Sequence, residues 1–193
     1  ALTGGIGTGK STASKILNDL GSFIFDADKE AKNILKNNET VQSELIAEFG
    51  TDIMSGDEKI DNNKLARIAF QDQDHQLRLN TIIHPYVFQE IDKIFDDILE
   101  KFTYGIFIVD AALIYESGAD THMDYVIVIT ALLKVRMERA LQRETLTRDE
   151  ILKRIDLQWS EEEKIALADF VIHNDSTEGE FRESITDIYN QLV

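Results

Sequence analysis

The chain has 193 residues, of which 43% are hydrophobic, so it is long enough to bury one sizeable core and short for two independent domains. Its formal net charge of −16 argues against a nucleic acid partner, because an acidic surface repels phosphates. We find no long apolar run and no signal-like segment, so we expect neither a membrane span nor export. A chain without cysteine suits the cytoplasm, which is the location we expect.

Short apolar runs alternate with helical patterns along the chain, an order typical of parallel βαβ units. Only three residues, starting at Ala1, precede the first glycine-rich turn, so we expect a first strand that is shortened at its start. Together with that stub, the other runs predict about five strands in a doubly wound α/β domain. These runs are Phe23 to Phe25, Ile106 to Val109, Val126 to Ile129 and Phe170 to Ile172.

Apolar spacing indicates two helices, and a polar turn predicts a third near the C-terminus. The first follows the glycine-rich turn and is expected to stop at Gly21, a favoured residue just beyond a helix end. A long stripe between Val87 and Phe102 predicts a helix that faces the core. The last helix is predicted from about Gly179 to Leu192.

Residues 4–12 read GGIGTGKST and match the phosphate-binding loop pattern G-x-x-x-x-G-K-[ST] between an apolar stub and an amphipathic helix. Glycines let backbone N–H groups surround a phosphate, and the helix N-terminus adds partial positive charge. Lys10 is expected to bridge β- and γ-phosphate oxygens and Ser11 to bind Mg²⁺. The competing interpretation is a plain glycine-rich turn. The predicted ATP contacts in this loop are Gly5, Gly7, Thr8, Gly9, Lys10, Ser11 and Thr12.

Acidic residues follow two of the predicted strands. Asp110 comes directly after Phe107 to Val109 and is the candidate for the Mg²⁺ shell, although a strand-end aspartate also starts ordinary turns. Asp26 and Asp28 follow the second strand, where one of them would accept a proton from an attacking hydroxyl. We favour Asp28 with Asp26 in support, and helix capping is the alternative for either.

Basic residues concentrate in the segment 134–154 of this otherwise acidic chain. Positive charge that closes over a triphosphate stabilises the transition state of phosphoryl transfer. Pairing with surface carboxylates is the alternative for any single one of these residues. A GTPase switch is disfavoured, because neither D-x-x-G nor N-K-x-D occurs.

Several separate motifs, in order along nearly the whole chain, resemble the dephospho-coenzyme A kinase family. The likeness begins with LTGGIGTGKST and the Asp26-Ala27-Asp28 triplet, and continues with His84-Pro85 and the segment from Asp110 to Glu116. Arg139, Gln142-Arg143, Thr147-Arg148, Arg154, Gln158 and the segment from Ala168 to Asn174 complete it. The sequence departs from the family at Ala112, where proline is usual, and at Ile114 and Tyr115, where Leu and Phe are commoner.

The resemblance implies transfer of the ATP γ-phosphoryl group to the ribose 3′-hydroxyl of dephospho-coenzyme A, with Asp28 as the base. It places His84, Leu113 and Glu116 in the acceptor site, and Arg139 and the catalytic Arg143 in a region that closes over ATP. We expect a single P-loop kinase domain over 1–193, with an acceptor-binding helical part near 60–103 and a lid near 134–160. Another small-molecule or nucleoside monophosphate kinase and a non-catalytic ATP-binding module stay open as alternatives, and the oligomeric state is not predicted.

Overall fold

The computed structural model describes residues 1–56 and 59–193 and divides them into two units. The first unit contains Ala1–Asp26 and Phe95–Val193, and the second contains Ala27–Ile94. The strands are β1 Leu2–Thr3, β2 Phe23–Asp26, β3 Phe107–Asp110, β4 Ile127–Thr130 and β5 Phe170–His173. The helices are α1 Lys10–Asp19, α2 Ala27–Asn37, α3 Glu39–Phe49, α4 Asn62–Ala69, α5 Gln73–Lys101, α6 Leu133–Gln142, α7 Arg148–Asp156, α8 Glu161–Leu167 and α9 Glu178–Leu192.

The five strands form one sheet in the order β2-β3-β1-β4-β5, and every neighbouring pair is parallel. This confirms the predicted doubly wound α/β architecture. The chain runs from β1 outwards to β2, returns to β3, and then crosses β1 to reach β4. Open sheets bind ligands outside the carboxyl ends of their strands where the winding reverses. The carboxyl end of β1, which leads into the glycine-rich loop, lies at that point.

The core of the first unit joins the sheet to helices α1 and α9. Leu2, Ile129, Leu17, Phe181 and Ile185 are almost completely inaccessible to solvent and belong to one apolar cluster. Each such side chain stabilises the folded state by roughly 1.5–3 kcal/mol relative to an exposed position. The glycine-rich loop is therefore attached at both ends, through β1 and α1, to this apolar cluster.

The predicted ends of two helices are confirmed in the first unit. Helix α1 ends at Asp19, and Gly21 has a φ of 104°, the left-handed conformation that glycine adopts without strain. Helix α9 begins at Glu178 behind a reciprocal cap, in which the Thr177 side chain accepts from the Glu180 N–H and the Glu180 carboxylate accepts from the Thr177 N–H.

Helix α5 begins well before Val87, where the predicted apolar stripe starts, and both His84 and Pro85 lie inside its 29 residues. Proline lacks the N–H that would bond one turn back, which costs about 3 kcal/mol in a helix interior. Buried residues on both sides of Pro85, among them Ile83 and Val87, hold one face of the helix against its surroundings. Packing of such a face stabilises a helix more than local propensity does.

The far end of the same helix also differs from the prediction of a stripe that faces the core throughout. Val87 and Ile91 are buried, but Phe95, Leu99 and Phe102 are 43%, 54% and 88% exposed. Phe95 still makes an edge-to-face contact with Phe107 of β3, with ring centroids 5.3 Å apart. Within the described ranges, no helix has the length and apolar character needed to cross a membrane.

Tyr115, in the turn after β3, stacks on Trp159 in front of α8. The rings are 5.9 Å apart and inclined by 10°. Tyr115 is only 5% exposed, and its hydroxyl has no hydrogen-bond partner among the residues with described coordinates. A buried hydroxyl without a partner contributes no stability of its own and costs desolvation. The stacked ring therefore stabilises this contact and the hydroxyl does not.

We expect Tyr115→Phe to leave the free energy of unfolding unchanged or to raise it by up to about 1 kcal/mol, because the ring stays and the unpaired hydroxyl goes. Tyr115→Ala, the matched variant that removes the stack, should lose about 3 kcal/mol. Urea denaturation measures both. A clear loss of stability in the Phe variant would show that the hydroxyl does have a partner.

Candidate phosphate-binding and phosphoryl-transfer site

The loop between β1 and α1 has the backbone shape of an anion-binding turn. Gly7 and Gly9 have φ values of 79° and 102°, which side-chain-bearing residues adopt only with strain. Gly9 is the N-cap of α1, and the first N–H groups of a helix have no partner within the helix. Free N–H groups and the positive end of the helix dipole together favour a bound phosphate.

Two side chains from outside this loop hold its carbonyl groups. Asn174, just after β5, donates from Nδ2 to the Thr8 carbonyl oxygen at 2.8 Å. Arg136 of α6 donates from Nε to the Ile6 carbonyl oxygen at 3.0 Å. The N–H of a trans peptide points away from its carbonyl group, so each contact also turns the next N–H to the opposite side. Neither Arg136 nor Asn174 was among the predicted site residues.

Thr8 contributes to the loop differently from the other predicted ATP contacts. Its side chain is fully buried, and its hydroxyl donates to the Gly5 carbonyl oxygen at 2.9 Å. Its N–H bonds to the same oxygen at 3.3 Å. Both donors of Thr8 are therefore engaged inside the loop, whereas Ser11 and Thr12 are exposed on the first turn of α1.

Lys10 forms an ion pair with Asp110 at the end of β3. The second carboxylate oxygen of Asp110 accepts a hydrogen bond from the Ser14 hydroxyl, one turn further along α1. Asp110 is buried and Lys10 is nearly so, which strengthens their attraction compared with a pair in water. The predicted lysine and the predicted metal-shell acid thus meet at one point, and Ser14 is a partner that the sequence pattern did not identify.

The two strand-end acids of the first unit are neighbours. Asp26 is the last residue of β2 and lies in register with Asp110 of β3. Adjacent strands are separated by about 4.8 Å, so both side chains emerge at the same carboxyl edge as the loop. The predicted base, Asp28, is exposed in the first turn of α2 and belongs to the second unit. The helix dipole favours a carboxylate in the first turn of a helix, which agrees in part with the alternative that Asp28 caps α2.

The basic segment divides between structural and exposed side chains. Arg139 donates from Nη2 to Asn174 Oδ1 at 3.4 Å, while its Nη1 is buried without a hydrogen-bond partner in the described part of the chain. Through Asn174, Arg139 is linked to the Thr8 carbonyl. Arg143 is exposed and caps the C-terminus of α6. Both stay candidates for contact with ATP.

Glu116, a predicted acceptor contact, connects the turn after β3 to α8. Its Oε1 accepts from the Trp159 N–H at 2.8 Å and lies 3.0 Å from the ammonium nitrogen of Lys164. Lys164 is completely buried and also donates to the Ala112 carbonyl oxygen at 3.3 Å. The other carboxylate oxygen of Glu116 is buried and has no partner among the described side chains and backbone. One oxygen is therefore structural, and the other is left without a hydrogen bond from the described residues.

Leu113 and His84 are the remaining predicted acceptor contacts. Leu113 is half-buried in the turn after β3. His84 lies on α5 in the second unit. Its ring makes an edge-to-face contact with the ring of Phe88, with ring centroids 6.2 Å apart. Burial lowers the pKa of His84 below its usual value, so its imidazole is neutral at physiological pH. A neutral ring offers one donor and one acceptor to a ligand.

The chain is similar to known proteins over most of its length. The family model described as dephospho-CoA kinase matches residues 1–180. A dephospho-CoA kinase of Fusobacterium nucleatum is 39% identical over 175 residues, which cover 91% of this chain and 88% of the relative. The solved dephospho-CoA kinase of Campylobacter jejuni is 30% identical, with a TM-score of 0.68 over 99% of this chain and 94% of its own. The crystal structure of TT1252 from Thermus thermophilus gives a TM-score of 0.81 at 27% identity, over 100% of this chain and 96% of its own.

Proposed function

The chain belongs to the dephospho-CoA kinase family, and we propose that it performs that family's phosphoryl transfer at the carboxyl edge of β1, β2 and β3. The protein is an ATP-dependent transferase that phosphorylates dephospho-coenzyme A in coenzyme A biosynthesis. The observation that carries the site assignment is the meeting of Lys10, on the glycine-rich loop, with Asp110 at the end of β3. Because ATP is a cytoplasmic metabolite, we place the reaction in the cytoplasm.

The glycine-rich loop is the proposed ATP site. Its free N–H groups and the N-terminus of α1 receive the β-phosphate, and the Lys10 ammonium moves from Asp110 to the β- and γ-phosphate oxygens. Arg139 and Arg143 add positive charge on the other side of the phosphates, from the segment 134–160 that we propose as a lid. A lid that excludes water favours transfer to the acceptor over hydrolysis.

The oxygen donors at this edge fit a magnesium ion. The Ser11 hydroxyl is exposed beside the loop, and Asp110 supplies a carboxylate; hard oxygen ligands of this kind are those that Mg²⁺ prefers. We propose that Ser11 and Asp110 hold the ion, with Asp110 acting directly or through water. When bound, Mg²⁺ neutralises charge on the β- and γ-phosphates.

The acceptor is the ribose 3′-hydroxyl, and Asp28 is the proposed base. The 3′-oxygen attacks the γ-phosphorus in line, a new bond forms between them, and the bond from phosphorus to the bridging oxygen breaks, so that ADP leaves. The hydroxyl proton passes to the Asp28 carboxylate. Asp26 supports this step from the end of β2, next to Asp110.

The second unit, 27–94, contains Asp28 and His84 and overlaps the expected acceptor-binding part. We propose that it binds the nucleotide end of dephospho-coenzyme A, with a neutral His84 as a hydrogen-bonding group. Leu113 and Glu116, in the turn after β3, are the proposed acceptor contacts of the first unit. Such remote contacts position the hydroxyl, and positioning supplies most of the rate in phosphoryl transfer.

The function is tested by ADP release with MgATP and dephospho-coenzyme A, beside AMP, a panel of metabolite alcohols and a reaction without acceptor. We expect release that depends on dephospho-coenzyme A, with coenzyme A confirmed by mass. Release with AMP or an alcohol instead would favour a different small-molecule kinase. ATP binding without acceptor-dependent release would favour a binding module.

Asp28→Asn keeps the size and polarity of the side chain but removes the proton acceptor. We expect kcat to fall by about 10²- to 10⁴-fold with ATP affinity largely kept, because general-base catalysis contributes that much. Asp26→Asn is the matched variant at the neighbouring acid and should lose less. Steady-state kinetics measures both, and the reverse order of losses would move the base to Asp26.

A further inference from the structure

Arg136 lies against the glycine-rich loop with its charge committed to two partners. Its side chain is 5% exposed, although it belongs to the basic segment expected to face a triphosphate. Nε donates to the Ile6 carbonyl oxygen at 3.0 Å, and Nη1 lies 3.1 Å from Glu161 Oε1 in the first turn of α8. A guanidinium can make both contacts at once because its donors form a rigid fork.

The loop is packed directly on this pair. A Cβ atom at Gly5 would collide with the Arg136 guanidinium and the Glu161 carboxylate. A Cβ atom at Gly7 would collide with the backbone carbonyl of Arg136. Gly5 therefore packs on the side chains of the pair, and Gly7 packs on the backbone of Arg136.

The contact with Ile6 determines which way a phosphate-binding donor points. The bond between Ile6 and Gly7 is trans, as are all the peptide bonds that the structure describes, so the Gly7 N–H points away from the carbonyl held by Arg136. Asn174 acts in the same way on the peptide group between Thr8 and Gly9, because it holds the Thr8 carbonyl. Arg136 thus fixes the orientation of a loop N–H through the peptide group to which that N–H belongs.

Glu161 keeps the guanidinium in place. Only one of its oxygens is paired with Arg136, and the other is buried without a hydrogen-bond partner in the part of the chain that is described. A buried carboxylate left partly unsatisfied is costly unless a nearby charge compensates it. Arg136 supplies that charge, so the two residues depend on each other.

We propose that Arg136 and Glu161 are a positioning pair that holds the glycine-rich loop in its phosphate-binding conformation. The proposal rests on the function given above for the loop. It goes beyond that function by giving a role to Arg136, which in this proposal holds the loop and makes no contact with ATP. It also makes ATP affinity depend on α8, a helix outside the loop motif.

The first test is ATP affinity, measured by calorimetric titration with a non-hydrolysable MgATP analogue, since this needs no acceptor. We expect Arg136→Gln and Glu161→Gln each to weaken binding by about 10- to 100-fold, as a misplaced binding group does. The double variant should bind no more weakly than the weaker single variant, because residues that act as a unit are not additive. Arg182→Gln, the same exchange in an exposed and longer pair with Asp19, should bind like the wild type.

Kinetics with dephospho-coenzyme A separates positioning from a merely structural role. A positioning role predicts a higher KM for ATP with an unchanged KM for the acceptor, at a temperature well below every variant's thermal midpoint. Lower thermal midpoints with unchanged ATP affinity and KM would overturn the proposal, as would single losses that multiply in the double variant. If Arg136→Gln does not fold, the test rests on Glu161→Gln alone. Wild-type affinity of that variant for the ATP analogue would then refute the proposed positioning pair. A wild-type protein that binds the analogue but releases no ADP refutes the proposed function and leaves this test intact.

Discussion

The contact between Lys10 and Asp110 is the constraint on which the site depends. It joins the first residue of α1 to the last residue of β3, and Ser14 adds a second link from the same helix. A buried acid and a partly buried base are tolerated only when they are paired. Because β1 lies between β3 and β4, this pairing holds the glycine-rich loop over the carboxyl edge of the sheet. In the proposed mechanism the same two residues exchange partners when phosphate binds.

Elements outside the motif complete the loop. The contacts from Arg136 and Asn174 reach the loop from α6 and from the residue after β5, so its shape depends on chain segments more than 120 residues away. Helix α8 carries both Glu161, which pairs with Arg136, and Lys164, which pairs with Glu116. The short helix α8 therefore contacts both Arg136, which holds the glycine-rich loop, and Glu116, a proposed acceptor contact.

The sequence was sufficient where the signal is local. Glycines at fixed spacing, a lysine and a serine identified the loop, and apolar runs between helical patterns predicted five parallel strands. Interpretation of the sequence failed where contacts between residues far apart in the chain determine the structure. Pro85 lies inside α5 because buried neighbours outweigh the missing hydrogen bond. Arg136 looked like one more lid cation, and nothing in its neighbourhood of the sequence indicates Ile6 or Glu161 as partners 130 and 25 residues away.

The most direct test of the account is the rate of phosphoryl transfer in Lys10→Ala, in protein whose thermal midpoint and affinity for dephospho-coenzyme A are measured alongside. The account predicts a loss of more than about 10²-fold in kcat/KM for ATP, since the ammonium stabilises charge that develops on the transferred group. The acceptor should bind as it does to the wild type. Turnover at the wild-type rate in a folded Lys10→Ala protein would contradict the assignment of the glycine-rich loop as the site of phosphoryl transfer.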